Sequence, residues 1–149
     1  MSYSSFIKLE TFYKKVGVFF QANFWWVDFF SPSTLHLTPF VKILLEQVVT
    51  QEEFTRLELG VHEALVNAVI HGNHCDPKKS IRVRRIITPN WLILQIQDEG
   101  DGVPFKQRVS NLPSELDADS GRGLFLIHAC FDDVRWSPRG NRLQIASKR

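Results

Sequence analysis

The amino-acid sequence predicts an α+β fold, a two-layer α/β sandwich in which helices cover a mainly antiparallel sheet. Three patterns support this prediction. Residues 52–71 have the periodicity of an amphipathic helix, residues 81–98 alternate like two strands, and residues 133–146 have the pattern of a hairpin. With 149 residues, of which 44% are hydrophobic, the chain is long enough to bury one ordinary core.

The composition argues against several functional classes. The formal net charge of +2 is too small to indicate a nucleic acid as the main partner. The two cysteines, Cys75 and Cys130, lie far apart and lack the spacing of a metal site, which fits a protein of the reducing cytoplasm. Residues 16–30 are rich in Phe and Trp, but polar residues interrupt them, and they fall short of the ~20 apolar residues of a membrane span.

The N-terminal residues 1–37 are predicted to be an aromatic extension that precedes one globular domain at residues 38–149. Up to Phe20 the sequence fits an irregular lead-in or a helix, because its aromatic and valine residues recur at helical spacing. Residues 24–30 are predicted to form an edge strand, which is rich in aromatic residues and closed by the turn signal Ser31-Pro32-Ser33.

Two helices are expected next. Thr38 followed by Pro39 has the pattern of an N-cap and a first helical residue, so a helix is predicted over residues 40–49. A longer helix is predicted over residues 52–71, with Gly72 as its stop signal. Together these helices would supply most of the helical layer of the sandwich.

The second half of the chain combines strands, a long loop and a helix. The loop at residues 99–120 is long for a compact domain, and such loops are often functional lids. The other predicted elements are strands at residues 81–88 and 91–98 around a Pro89-Asn90 turn, a helix at residues 123–131, and a hairpin of strands at residues 133–136 and 142–146.

A polar stripe runs along the long predicted helix. Glu63, Asn67 and His71 are spaced four residues apart, so they stack on one side of the helix between two apolar flanks. The residues alone leave two interpretations open. The stripe is either an exposed strip with a local Glu–Asn hydrogen bond, or one wall of a cleft in which Asn67 offers an oxygen to Mg²⁺ and Glu63 receives a proton.

The second predicted strand ends in an inward-facing carboxylate. Leu92, Leu94 and Ile96 share one face of the sheet, and Asp98 is the next residue on that face. A buried carboxylate needs a hydrogen-bond donor. The donor is either an amino group of a ligand, such as the exocyclic amine of adenine, or structural water and a neighbouring backbone N–H.

Two Gly-x-Gly pairs accompany these side chains. Gly100 and Gly102 follow the inward carboxylate and allow either a plain tight turn or a close approach of the backbone to a flat ligand. Gly121 and Gly123 open the last predicted helix, where the free N–H groups of a helix N-terminus can hold phosphate. Arg122, between them, is either a phosphate contact or a solvated side chain.

The order of these motifs resembles that of a known family. The resemblance is to the Bergerat-type ATPase fold shared by histidine kinases and gyrase, and the motifs that carry it are Glu63-x-x-x-Asn67, Asp98-x-Gly100-x-Gly102 and Gly121-x-Gly123. The compact size and the segment EALVNAVIHG look most like the bacterial anti-sigma factor serine/threonine kinases. The resemblance covers residues 38–149.

The resemblance implies ATP and Mg²⁺ as cofactors and a role for each motif. Glu63 corresponds to the general base, Asn67 to the Mg²⁺ ligand and Asp98 to the carboxylate that recognises adenine. The first glycine pair corresponds to the adenine end of the pocket, and the second pair corresponds to the phosphate end beside an ATP lid. The candidates for contacting phosphate near the lid are Arg122, Lys106 and Arg108.

The function that the resemblance implies is that of an anti-sigma factor kinase. Such a protein, usually a homodimer, phosphorylates a serine of an anti-anti-sigma partner with ATP and sequesters a sigma factor. Two alternatives remain open on the residues. One is a catalytically weak ATP-dependent protein-binding switch, and the other is a core domain without a ligand, in which Asp98 and the Glu63 stripe are satisfied internally.

Overall fold

A computed structural model describes residues 4–9, 12–19, 23–108 and 122–149, the first two ranges as strand backbone. The strands within these residues are β1 (Ser4–Leu9), β2 (Phe12–Phe19), β3 (Phe24–Pro32), β4 (Ser80–Ile87), β5 (Trp91–Gln97), β6 (Asp133–Trp136) and β7 (Arg142–Lys148). They form one antiparallel sheet in the order β1-β2-β3-β4-β5-β7-β6. The α-helices are α1 (Thr38–Leu45), α2 (Gln51–Asn67) and α3 (Arg122–Cys130). The predicted α+β sandwich is confirmed.

The hydrophobic core lies between the helices and one face of the sheet. Buried and partly exposed residues alternate along β4 and β5, as the period of two requires, so that Val83 and Leu94 point into the core. The long helix has a buried apolar face, whose members are Leu57, Val61, Ala64 and Leu65 of α2 together with Ala68 and Val69, which follow it directly. The local patterns of strands and helix therefore identified the core correctly.

The N-terminal segment differs from its prediction. In place of an irregular or helical lead-in, β1 and β2 form an antiparallel pair that extends the sheet. Valine and aromatic residues favour strands. Pairing with β3 also satisfies the hydrogen bonds of the backbone, and this pairing cannot be inferred from the spacing of side chains. The strand predicted at residues 24–30 exists, but it pairs on both sides and is an interior strand. The expectation of an edge strand there was wrong, whereas the domain boundary stays a prediction.

Helix α1 is shorter than predicted and has a different cap. Leu37 is the N-cap residue, so Thr38 lies inside the helix, and Pro39 occupies the first turn. The helix ends at Leu45 rather than at residue 49, and soon after it Gln47 has a φ of 67°, which no α-helix contains. Because a left-handed residue redirects the chain, residues 46–49 leave the helix and lead into α2.

The N-terminus of helix α2 has a capping box formed by Thr50 and Glu53. The hydroxyl of Thr50 accepts a hydrogen bond from the Glu53 N–H, and the Glu53 carboxylate accepts one from the Thr50 N–H at 2.7 Å. Beyond Asn67 the helix widens into a π-helical turn, Ala68–Gly72. With this turn included, the helix agrees with the predicted range to within one residue at each end.

The remaining elements follow the predictions closely. Strands β4 and β5, the turn between them and the β6–β7 hairpin occur as expected, and α3 begins one residue earlier. The predicted lid at residues 99–120 is described only up to residue 108, where it contains a 3₁₀ turn, Phe105–Gln107. Its remainder and Gly121 lie outside the described residues. No helix among the described residues is both long enough and apolar enough to cross a membrane.

Candidate functional site

The polar stripe of α2 meets the N-terminus of α3. Glu63 and Asn67 are partly exposed, and His71 lies further along in the π-helical turn, where it is exposed. A methyl group on Gly123 would lie 3.0 Å from Glu63 Oε2 and 3.6 Å from Asn67 Oδ1. The structure therefore brings Glu63, Asn67 and Gly123 together, as the cleft interpretation requires, and leaves His71 at the margin.

The carboxyl group of Asp98 is buried, as predicted, with 8% of the residue exposed. Its Oδ1 accepts a hydrogen bond of 2.8 Å from the Gly100 N–H. Burial raises the pKa of Asp98 above its ordinary value, and the Gly100 N–H offsets part of that rise. The charges of Lys79, His74 and Arg139 also lower this pKa, so the carboxyl lies in a surrounding of positive potential.

Asp98 is held in place by glycine residues of two loops. Gly72 lies directly against the carboxyl, since any side chain at this position would overlap the Asp98 side-chain atoms. Gly102 has a φ of 96° and packs against the backbone carbonyl of Arg139. Gly100 in turn packs against the Gly72 carbonyl. The predicted pair Gly100 and Gly102 is thus required by loop packing beside Asp98, and Gly72, predicted only as a stop signal, belongs to the same packing.

A narrow cleft connects the two motifs. It contains Asn67 of α2 at one side and Asp98 at the other, and the residues that complete its lining are Ala64, Ala68, Ile96, Val103, Trp136 and Leu143. The lining is mostly apolar apart from the Asp98 carboxyl and the Asn67 amide. Val103 and Trp136 were not predicted as lining residues, because nothing in the local sequence indicates that β6 reaches the end of β5.

Trp136 also contributes an unsatisfied donor. Its indole Nε1 is buried and has no hydrogen-bond acceptor among the described residues. Buried N–H groups without partners are uncommon in native proteins. A cleft lined by this ring therefore has both an acceptor, Asp98, and a donor whose partner is not within the described part of the protein.

The basic residues near the predicted lid have different positions. Arg108 donates hydrogen bonds to the carbonyls of Val103 at 2.7 Å, Ser137 at 3.2 Å and Pro138 at 3.1 Å. These hydrogen bonds connect the beginning of the loop to the β6–β7 hairpin, so the Arg108 guanidinium has a structural role. Arg122 is exposed at the first residue of α3, beside Gly123. Of the three candidates for phosphate contact, Arg122 thus has the position closest to the glycine motif in the chain.

The chemistry of the donor set fits a magnesium nucleotide. The described residues contain no cluster of three or more His, Cys, Asp or Glu side chains that could hold a metal ion alone. Mg²⁺ in phosphoryl-transfer sites is bound by one or two protein oxygens together with phosphates and waters. The amide oxygen of Asn67, next to Gly123, which has no side chain, is of the kind that meets that requirement.

Comparison with known proteins identifies relatives. Residues 37–147 match the histidine kinase-like ATPase domain family. The anti-sigma F factor of Geobacillus kaustophilus (strain HTA426) is 33% identical over 89 residues, which are 57% of this chain and 60% of that protein. The anti-sigma F factor of Oceanobacillus iheyensis is 26% identical over 104 residues, 64% of this chain and 70% of that protein. The chain thus spans about 60% of the length of the first of these relatives.

Proposed function

Because this chain belongs to the histidine kinase-like ATPase domain family, we propose that it binds ATP in the cleft and phosphorylates a serine of a protein partner. The observation that carries the proposal is the buried carboxyl of Asp98 in the same apolar cleft as Asn67. Burying a carboxylate is unfavourable unless a donor meets it. The adenine amino group is a donor of the right kind, and the apolar lining would pack against the base.

Asn67 and the glycines would hold the other end of the nucleotide. The Asn67 amide oxygen would bind Mg²⁺, which neutralises phosphate charge when it is present. The first N–H groups of α3, at Arg122 and Gly123, would donate to phosphate oxygens, and the Arg122 guanidinium would add a charged donor. Gly121, which lies outside the described residues, is proposed to belong to the same phosphate motif. The closeness of Gly123 to the Glu63 and Asn67 side chains supports this arrangement.

Glu63 would act as the general base. The serine hydroxyl oxygen of the partner would attack the terminal phosphorus while the bond to the bridging oxygen of ADP breaks, and the hydroxyl proton would pass to the Glu63 carboxylate. A partly exposed carboxylate is accessible to a partner's side chain. Phosphoryl transfer depends mainly on positioning and charge neutralisation, so Glu63 would add to a site that already aligns the reactants.

The partners are proposed from the relatives. Proteins named anti-sigma F factor support an anti-sigma role, in which this chain sequesters a sigma factor and phosphorylates an anti-anti-sigma protein. We propose a homodimer as the working form. The matched part of the chain is residues 37–147, and the residues of the proposed nucleotide site lie within it.

The proposal is tested with labelled ATP, Mg²⁺ and a panel of candidate partner proteins. Glu63→Gln should retain ATP affinity, whereas label transfer to serine should fall about 10²–10⁴-fold, the usual contribution of a general base. Glu58→Gln, on the same helix and exposed, is the matched control and should leave both quantities unchanged. Equal loss of binding and transfer in Glu63→Gln would exclude the base role. Stable ATP-dependent complexes without label would favour the alternative, a protein-binding switch.

A further inference from the structure

The face of the sheet opposite the core, here called the outer face, is polar and rich in arginine. Arg82 and Arg84 of β4 point to this face, since they alternate with buried core residues along the strand. Together with Gln95 and Gln97 of β5 and Arg142 of β7 they line one shallow depression. Among the described residues no carboxylate lines it, and its lining consists of three arginines and two glutamines.

Asp28 of β3 holds two of these arginines in fixed positions. Arg84 donates to Asp28 Oδ1 at 2.7 Å and to Oδ2 at 2.9 Å, and Arg82 donates to Oδ2 at 2.7 Å. Asp28 is only 2% exposed, whereas the side chains of Arg82 and Arg84 are 40% and 33% exposed. The carboxylate is covered, and the arginines present their remaining N–H groups outward. Side chains fixed in advance lose less conformational entropy on binding a ligand.

Three of the aromatic rings that the structure describes on the outer face lie next to cations. The guanidinium of Arg84 lies 4.4 Å from the centre of the Trp26 ring, that of Arg82 lies 6.0 Å from Phe30, and the ammonium of Lys148 lies 5.9 Å from Trp91. Stacking of nucleobases needs open ring faces. In the described part of the outer face these three rings therefore lie beside cations, and the arginines and glutamines are the groups that line the depression.

The charge of the outer face distinguishes between two other partners, a second copy of this chain and an acidic segment of another protein. Three arginines line the depression, and Asp28, which two of them already bind, lies beside them. A second copy of the same face would bring like charges together, which costs free energy. Arginine and tryptophan are enriched in protein interfaces, and carboxylates are the ligands that a guanidinium fork binds best. The charge is complementary to an acidic protein segment.

We propose that the outer face is a docking surface for an acidic protein segment, whose carboxylates bind Arg82, Arg84 and Arg142. Trp26, Asp28 and Phe30, which shape this surface, precede residues 37–147, the range that matches the ATPase domain family. The surface also lies on the opposite side of the sheet from the helices that carry Glu63 and Asn67. The proposal is consequently independent of the nucleotide site and of phosphoryl transfer.

The test measures binding of a fluorescent oligo-glutamate peptide to the full chain at low ionic strength. The wild-type protein should bind this peptide and should not bind an oligo-lysine peptide of equal length. Arg142→Gln and Arg82→Gln should each weaken binding about two- to fivefold, as expected for exposed charge pairs. In Arg82→Gln the Asp28 carboxylate keeps both bonds from Arg84. Added salt should weaken the wild-type interaction further.

The controls distinguish peptide binding at the outer face from a nonspecific effect of the positive charge of the chain. Lys42→Gln removes one positive charge at an exposed position of helix α1 and should leave peptide affinity unchanged, and thermal unfolding should verify that every variant is folded. Equal loss in Lys42→Gln, or no binding by the wild-type chain, would refute the surface. A single-stranded oligonucleotide that binds more tightly and is equally sensitive to Arg142→Gln would overturn the choice of partner. Self-association that Arg142→Gln abolishes would overturn it as well.

Discussion

At Asp98 the proposed contact with a ligand requires a carboxylate, whereas the stability of the fold would favour a neutral side chain. Its carboxyl lies at the end of a core-facing row of β5, and burial raises its pKa. A carboxyl with a raised pKa makes folding less favourable once the pH exceeds the ordinary range of aspartate, because the folded state then holds the proton more tightly than the unfolded state. In the unliganded protein a neutral side chain would be more favourable at this position, and the proposed ligand would supply a donor to the carboxylate.

The substitution Asp98→Asn should separate these two effects. The amide can still accept the Gly100 N–H, so the loop should keep its shape, and at neutral pH the unliganded protein should unfold at the same or a higher temperature than wild type. Loss of a charge-assisted hydrogen bond costs about 1.5–3 kcal/mol, so ATP affinity should fall by about one to two orders of magnitude. Thermal unfolding and calorimetric titration measure both quantities. A clearly lower melting temperature with unchanged ATP affinity would mean that the carboxylate is structural.

Residues of the candidate site were predictable where periodicity gives a side chain its direction. Spacing by four placed Glu63 and Asn67 on one stripe, and alternation turned Asp98 inward. Trp136 could not be predicted, because its place in the cleft results from the pairing of β6 with β7 beside β5. The same holds for Gly72, whose closeness to Asp98 depends on the docking of α2 against the sheet.

At the scale of elements, the ends of the helices are fixed by side chains from different parts of the chain. The C-terminus of α1 receives a hydrogen bond of 2.9 Å from the buried Arg85 guanidinium to the Leu44 carbonyl. Burial lowers the pKa of Arg85 to about 10, and its ring contacts are Trp25 and Phe29 of β3. A positive charge at the C-terminus of a helix interacts favourably with the negative end of the helix dipole. The N-terminal strands thus help to position the first helix.

The N-terminus of α2 should be sensitive to loss of its cap. Thr50→Ala removes the hydroxyl that accepts the Glu53 N–H, and such changes cost about 1 kcal/mol. For a chain of this size the melting temperature should fall by roughly 2–4 °C. Thr55→Ala is the matched control: its hydroxyl donates to a carbonyl within the same helix, the residue is exposed, and alanine favours helices. An equal loss of stability in both variants would contradict a specific role for the cap.

The elements themselves were predicted best where the signal is local. Strands β4 to β7 and helix α2 follow from alternation, periodicity and turn residues in their own segments. The hairpin of β1 and β2 was missed because Phe12, Val16 and Phe19 also satisfy a helical spacing, and only pairing with β3 decides between the two. The early end of α1 was missed for a similar reason, since a left-handed residue such as Gln47 has no signature in the sequence.

At the scale of the whole molecule, one sheet separates two surfaces with different chemistry. The helices and the cleft occupy one side, and the arginines of the outer face occupy the other. Asp28 joins the N-terminal strands to β4 through Arg82 and Arg84. Burial acts to raise the pKa of Asp28, but the hydrogen bonds and charges of Arg84 and Arg82 outweigh it, so the pKa lies below the ordinary value. This ion triad is a charged connection between β3 and β4.

Substitution of Asp28 should therefore affect the stability of the whole sheet and leave the cleft unchanged. Asp28→Asn removes charge-assisted hydrogen bonds to two arginines, and at neutral pH the free energy of unfolding should fall by about 1–3 kcal/mol. A carboxyl with a depressed pKa stabilises the folded state above the ordinary aspartate pKa of about 3.9, and this contribution is lost as the pH falls through the lower folded value.

Urea unfolding of wild type and Asp28→Asn over a series of pH values checks this dependence. The difference between the two proteins should be constant near neutral pH and should close in acid, below the ordinary aspartate range. ATP affinity should be the same in both, because the triad lies across the sheet from Asn67 and Asp98. A stability difference that persists unchanged into strong acid would mean that packing of the Asp28 side chain, and not its charge, connects the N-terminal strands to the rest of the sheet.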